Sequence, residues 1–341
     1  MSSYSAVSAK TKAMFGNFLT KADYENIAAK SSVNDICAYL KNETSYTDVF
    51  AGMDESSVHR GLIEEQLWVK LNNDYSKIYN FVDDDKKEIL DFWFIRLELD
   101  YLKHSIRNLF NHEKKPTQEP VSDFFEKKTK IDIQMCMKAK SLDDFIKACE
   151  NTNYYAYLKR VKAVNSDYFS IAMGLDLFYY EQYWKKIKKL KGQERRAMEK
   201  FVGSQIDMQN IIWIYRSKVY FKFSNEQIYT CLIPVRYKLS EELIKELVNS
   251  QDGERIISIL DKTIYKSLFK RITEGFYVDE NYRRIMYKIS RLTFRTASDN
   301  IAGSCAYIDM KEFEILNIIR VIEGIRYGIN PEVIKKHIRI S

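Results

Sequence analysis

Three observations predict an all-α fold for this chain. Glycine (11) and proline (4) are scarce in 341 residues, so few breakers interrupt helices. Apolar residues recur at helical rather than alternating spacing almost throughout, VYFKF at 219–223 being the one strand-like run. Finally, one long-helix pattern occurs three times. Its central copy, Ile206–Arg216, reads IDMQNIIWIYR.

The upstream copy carries Glu98, Tyr101, Leu102, Lys103 and Arg107; the central one Asp207, Asn210, Ile211, Ile212 and Arg216; the last Glu314, Asn317, Ile318, Ile319 and Glu323. The acidic positions lie about 109 and 107 residues apart. A second pattern keeps the same step: Thr44 and Tyr46 with Phe50, Thr152 and Tyr154 with Leu158, Thr263 and Tyr265 with Phe269. A period near 110 residues is domain-sized, unlike the shorter periods of solenoids. Three similar helical domains are therefore expected, at 1–118, 119–235 and 236–341.

Taken in order, SYSAVSAKTKAMF at 3–15 opens the chain as a helix ending near Gly16, and Thr20 with Asp23 resembles a capping box for the next. SVNDICAYLKNETSYTDVF at 32–50 predicts a pair of short helices, followed by long helices over about 56–80 and 84–112. Pro116 and Pro120 in KKPTQEP mark the first boundary. Short helices then resume over 130–161, where SLDDFIKACENTNYYAYL echoes the first copy, and two long helices follow at about 166–190 and 193–221. Pro234 falls where the repeat demands the second boundary. LSEELIKELVNS from Leu239 repeats LTKADYENIAAK, with Ser240 in the capping role of Thr20. Helices near 254–270, 279–297 and 311–328 complete the third copy, and Asn330-Pro331 opens a last short one.

Charged residues are 30% and hydrophobic ones 45%, as in soluble globular proteins. No apolar run approaches the roughly 20 residues of a membrane span, and MSSYSAVSAK lacks a signal-peptide core, so a cytoplasmic location without a span is expected. The five cysteines (37, 136, 149, 231 and 305) show no CxxC spacing and read as buried free thiols. His59, His104, His112 and His337 show no metal-ligand spacing, and neither a metal nor a cofactor is expected. GxxxxGK[ST], GxGxxG and GxSxG are absent, which excludes nucleotide binding by a Walker loop and leaves no catalytic residues to nominate.

On each long helix the acid shares a face with positions three, four and seven residues on, the face that packs against neighbours. A carboxylate there is expected to cap or bridge a helix end, since buried charges need partners. Arg107 and Arg216 stand nine residues beyond the acids, on the opposite face, and must meet another helix, solvent or a partner; Glu323 reverses their sign. Tyr46 with Phe50 and Tyr265 with Phe269, spaced four apart, read as core. The net charge of +7 leans towards acidic partners. Its densest source is Trp184–Lys200, WKKIKKLKGQERRAMEK, which reads as the exposed tip of a helical hairpin centred on Gly192. Lys185, Lys186, Lys188, Lys189, Arg195 and Arg196 are its candidate partner-binding residues, against the simpler reading of a solvated tip.

The three helical copies, together with YSAVSAKTKAM, LTKADYENI, SVNDICAYLKNETSYTDVF and EFEILNIIRVIEGIRYGINPEVI, resemble the C subunit of V-type (V/A-type) ATPases, the relative of the eukaryotic d subunit. The resemblance spans the chain. Its most specific piece is Glu314–Ile329, with Asn317, Gly324, Tyr327 and Gly328; Tyr101 departs from the Asn of the other copies. It implies a funnel of three domains about a pseudo-threefold axis and a non-catalytic role in a rotary motor. Such a protein sits on the cytoplasmic face of the membrane, connecting the central axle subunits to the cytoplasmic loops of the rotor ring, with no nucleic acid. The competing reading is a helical adaptor binding nucleic acid or an anionic surface through Trp184–Lys200; an enzyme is the third class.

Overall fold

The computed structural model describes residues 3–54, 58–111, 123–164, 167–266, 278–297 and 299–338. Pro116, Pro120 and Phe269 lie outside them. The described residues are all-α. In chain order the helices are α1 (Ser3–Phe15), α2 (Lys21–Ala28), α3 (Val33–Glu43), α4 (Thr47–Phe50), α5 (Arg60–Tyr79), α6 (Asp84–Phe110), α7 (Asp123–Lys128), α8 (Ile133–Lys138), α9 (Leu142–Ala148), α10 (Tyr155–Val164), α11 (Tyr168–Ile187), α12 (Gly192–Arg216), α13 (Asn225–Cys231), α14 (Glu241–Val248), α15 (Gly253–Leu260), α16 (Val278–Thr296), α17 (Ile301–Arg326) and α18 (Pro331–His337).

Local chemistry sets many of these limits. Thr20 and Asp23 form the anticipated capping box on α2, Ser240 caps α14 through the amide of Leu243, and Asn330 caps α18 with Pro331 in its first turn. Gly328, at φ 65, closes α17: its amide donates to Ile325 O and that of Ile329 to Gly324 O, satisfying carbonyls left over at the helix end. VYFKF at 219–223 is not a strand. Ser217–Phe221 extends α12 as a π-helical turn that stops at Lys222, in the left-handed region at φ 55. Its β-branched and aromatic composition favours a strand, but with no strand among the described residues to pair with, the helix ladder wins.

Two compact units divide the chain. One comprises Met1–Lys87 with Arg283–Ser341, so both ends of the sequence build it. Here α17 packs against α5, α1, α2, α3 and α18. From Ile301 to Ile308 α17 is buried on all sides, and α5 supplies Ile63, Leu67, Leu71 and Ile78, each fully buried. Burying such a side chain contributes about 1.5–3 kcal/mol.

The other unit is Glu88–Tyr282. In it α12 packs on α11 and α13, while α11 also packs on α10. Phe92 of α6 stacks on Tyr183 of α11, centroids 4.3 Å apart at 6°. Lys103 of α6 donates to Asp176 of α11 at 2.9 Å. Tyr282 of α16 donates to Gln209 of α12 at 2.6 Å.

Candidate functional site

The three repeated acids are buried, and each ties a long helix to the lead-in of a short-helix pair. Asp207, fully buried, accepts from the amides of Tyr237 (3.1 Å), Lys238 (2.6 Å) and Leu239 (3.1 Å) and from the Tyr265 hydroxyl (2.7 Å). Those amides directly precede Ser240, the cap of α14. Glu314 accepts from the Leu19 amide (2.6 Å), immediately before the α2 cap, and from the Tyr46 hydroxyl (2.7 Å). Glu98 accepts from the hydroxyls of Thr129 (2.6 Å) and Tyr154 and from the Lys130 amide, just before α8. The carboxylates thus bridge helix starts, as their position on the packing face suggests.

The second repeated pattern supplies the tyrosines. Thr44 donates to Leu40 O at 2.6 Å while accepting from the Tyr46 amide, and Thr263 does the same with Leu260 O and Tyr265. Thr152 donates to Cys149 O. A threonine here satisfies a last-turn carbonyl and turns the following tyrosine inward. Burial and the adjoining carboxylate push all three phenols far above their ordinary titration range, so they are permanent donors. Each acid takes its tyrosine from the next copy along: Tyr154 serves Glu98, Tyr265 serves Asp207, and Tyr46 serves Glu314.

Sequence alone misses several members of these clusters. Lys311, 1% exposed, lies 2.5 Å from Glu314 and over the rings of Tyr46 and Phe18. Tyr307 donates to buried Asp74 at 2.9 Å. Asn210 makes two hydrogen bonds to the backbone of Ile233, fixing the segment beside Pro234. Asn317 of the third copy instead accepts from Arg320, so the repeated Asn does not keep one role. Beyond the acids, Arg107 donates to the Tyr168 hydroxyl and lies 5.8 Å from its ring centroid, whereas Glu323 pairs with Arg60. All five cysteines are buried free thiols. His59 caps α5 through Nδ1, while His112 and the side chain of His337 lie outside the described residues.

The basic run spans the end of α11, the turn 188–191 and the start of α12, with Gly192 at φ 59. The six nominated residues are not equivalent. Lys186 is paired with Glu88, and Lys188 (2.7 Å) and Arg195 (2.8 Å) share Glu199. Lys185, Lys189 and Arg196 are exposed and carry no ion pair among the described residues. No cluster of three or more His, Cys, Asp or Glu fit to hold a metal occurs among the described residues, and no helix there is long and apolar enough to cross a membrane.

Comparison with known proteins is consistent over the whole of this scaffold. The chain is 24% identical to the A-type ATP synthase C subunit of Thermococcus kodakarensis over 343 residues, covering 98% of this chain and 90% of that one. It is 25% identical to the corresponding C subunit of a Desulfurococcus species over 342 residues, at 98% and 90% coverage, and 23% identical to that of Methanosphaera stadtmanae over 330 residues, at 92% and 82%. The family model described as ATP synthase (C/AC39) subunit matches residues 7–337, a span that contains all three acid–tyrosine joints. The chain therefore belongs to the ATP synthase (C/AC39) subunit family.

Proposed function

We propose that this protein is the non-catalytic connector of a rotary ATPase, seated on the cytoplasmic face of the membrane between the central axle and the rotor ring, so that torque couples nucleotide turnover to ion transport. The observation that carries this reading is the family match over residues 7–337, which takes in every copy of the internal repeat. Three similar domains, near 1–118, 119–235 and 236–341, arranged as a pseudo-threefold funnel, fit the role: many modest contacts distributed round an axle resist slip better than one strong one. Buried charged joints at Glu98, Asp207 and Glu314 stiffen such a body, because breaking one leaves several donors without partners.

Reconstitution tests it. Complex lacking this protein should hydrolyse ATP without pumping ions into vesicles, and adding the pure chain should restore pumping. Coupled transport in its absence, or a chain that purifies with nucleic acid instead of axle and ring subunits, overturns the proposal. The basic tip is its candidate docking surface. Reversing the three unpaired cations (Lys185→Glu, Lys189→Glu, Arg196→Glu) should weaken assembly, most at low salt where screening is least. Reversing Lys186, Lys188 or Arg195 also breaks intrachain pairs and reads less cleanly. Normal assembly by the triple variant at every salt concentration leaves the tip merely solvated.

A further inference from the structure

The cations of the basic tip are sorted by side. Lys185 and Lys189 stand one turn apart on α11, Arg196 and Lys200 one turn apart on α12, and all four are exposed. At about 100° per residue, each stripe lies opposite the residues its helix buries, Tyr183 and Ile187 on α11 and Met198 and Val202 on α12. Lys188 and Arg195 meet on Glu199 in the seam between the helices, about a quarter turn from either stripe. The two stripes therefore share one outer face of the hairpin. Exposed Lys191 occupies the turn that joins them. The Tyr237 ring packs directly on Gly203 of α12, and exposed Lys238 beside it lengthens the face.

Nearby carboxylates are engaged or turned inward. Glu199 holds two cations in the seam, Glu88 holds Lys186, and Glu241 holds Arg236 and Lys245. Glu194 stands one turn from Met198, on the buried side of α12. Glu181, one turn before Lys185, is half-buried beside Tyr157. What the outer face presents to solvent is positive.

We infer that this face is a lipid contact, lying against an anionic phospholipid surface with Lys185, Lys189, Lys191, Arg196, Lys200 and Lys238 on the headgroup phosphates. Clusters of roughly four to eight basic residues on a helix recognise such surfaces, gaining about fivefold in affinity per cation. Lysine suits the task. Its ammonium is a hydrated point charge on a flexible stem, able to follow phosphates that move laterally, whereas a fixed carboxylate favours the planar fork of arginine. Five of the six cations are lysines, and the fork of Arg195 is already spent on Glu199. The stripes run along the outside of a helix pair, so a flat partner reaches them together. The inference deepens the connector reading, on whose seat at the membrane it rests.

The test mixes the full chain, without other subunits, with vesicles of phosphatidylcholine alone or equimolar with phosphatidylglycerol. The chain should sediment with the anionic vesicles, stay in solution with the neutral ones, and be released as salt rises. Lys185→Gln/Lys189→Gln and Arg196→Gln/Lys200→Gln should each weaken partition about 25-fold, because both stripes touch the same surface. Lys127→Gln/Lys147→Gln removes equal charge from exposed positions outside the face and should change partition less than about twofold. An equal loss in that control pair, unchanged partition on neutralising either stripe, or equal binding to neutral vesicles overturns the proposal. So does a chain that ignores anionic vesicles yet leaves the detergent-solubilised assembly when a stripe is neutralised, which makes the face a protein contact. Reconstituted pumping tests the connector separately: vesicle binding without restored pumping removes the connector and keeps the lipid contact.

Discussion

Replacing Asp207 by Asn preserves shape and removes charge, so it measures what the buried joint contributes. One oxygen of Asp207 receives Lys238 N, Leu239 N and the Tyr265 hydroxyl; the other receives Tyr237 N. An amide oxygen has two lone pairs for the first three donors, and the NH2 group turns a donor towards the fourth. At least two buried donors are then orphaned, at about 1–3 kcal/mol each, so the loss should be about 2–6 kcal/mol. Tyr265→Phe removes one hydrogen bond to a charged group and should cost about 1.5–3 kcal/mol. In the double variant the missing hydroxyl frees a lone pair for an orphaned amide, so the two losses should fall short of additive by about 1–2 kcal/mol. Urea unfolding gives the totals, and hydrogen exchange at Tyr237–Leu239 localises them, each 1.4 kcal/mol lowering protection about tenfold. A cost below about 0.5 kcal/mol for Asp207→Asn, or a strictly additive cycle, refutes the joint as a structural keystone.

Three further outcomes follow from the same structure. Gly203→Ala should destabilise by about 1–3 kcal/mol in thermal unfolding, because a β-carbon there would sit 2.6 Å from the Tyr237 ring and push its amide off Asp207. Lys311→Met leaves Glu314 buried without its cation and should cost about 3–5 kcal/mol by urea titration, with the loss confined to the unit built from both chain ends. Carboxylate NMR should find Glu98 and Glu241 displaced in opposite directions. Burial raises Glu98 above 4.5, so its contribution is full below the unfolded value and is lost as pH rises through the folded one; Glu98→Gln should flatten that limb. Hydrogen bonds from Arg236 and Lys245 hold Glu241 at about 2, so its contribution is present above 4.5 and is lost as pH falls towards 2.

Helices are legible in this sequence wherever a local rule decides them: the Thr20 and Ser240 caps, the Asn330-Pro331 start and the breaker-poor long segments all act within one turn. The repeat is legible too, because acid and Thr-x-Tyr keep a common step. Partner choice is not. Tyr46 precedes Glu98 by about 52 residues, and Tyr154 follows it at a separation of 56, so spacing cannot say which tyrosine reaches which acid. Three-dimensional packing decides for the later one. Lys311 looks like any surface lysine of an amphipathic helix, since its burial depends on Glu314 and on rings from the far end of the chain. The density of the basic tip is plain from composition, but the pair between Lys186 and Glu88 joins distant segments and leaves no local signal. VYFKF misleads because ring and β-branched content favour a strand, whereas helix continuation and a left-handed Lys222 prevail.

The joint at Glu314 also sets an order of events on the ribosome. Leu19 and Tyr46 find their acceptor 295 and 268 residues later in the chain. At about 5–20 residues per second, synthesis of that interval takes roughly 15–60 s. Throughout it Glu88–Tyr282 has all its own partners once translated, while α1, α2, α3 and α5 have no α17 to pack on. The apolar faces of α1, α2, α3 and α5 that meet α17 therefore stay uncovered until α17 is made. Chains stalled before α17 should carry a folded Glu88–Tyr282 unit and protease-sensitive α1–α5 segments, as limited proteolysis of the stalled chains would show.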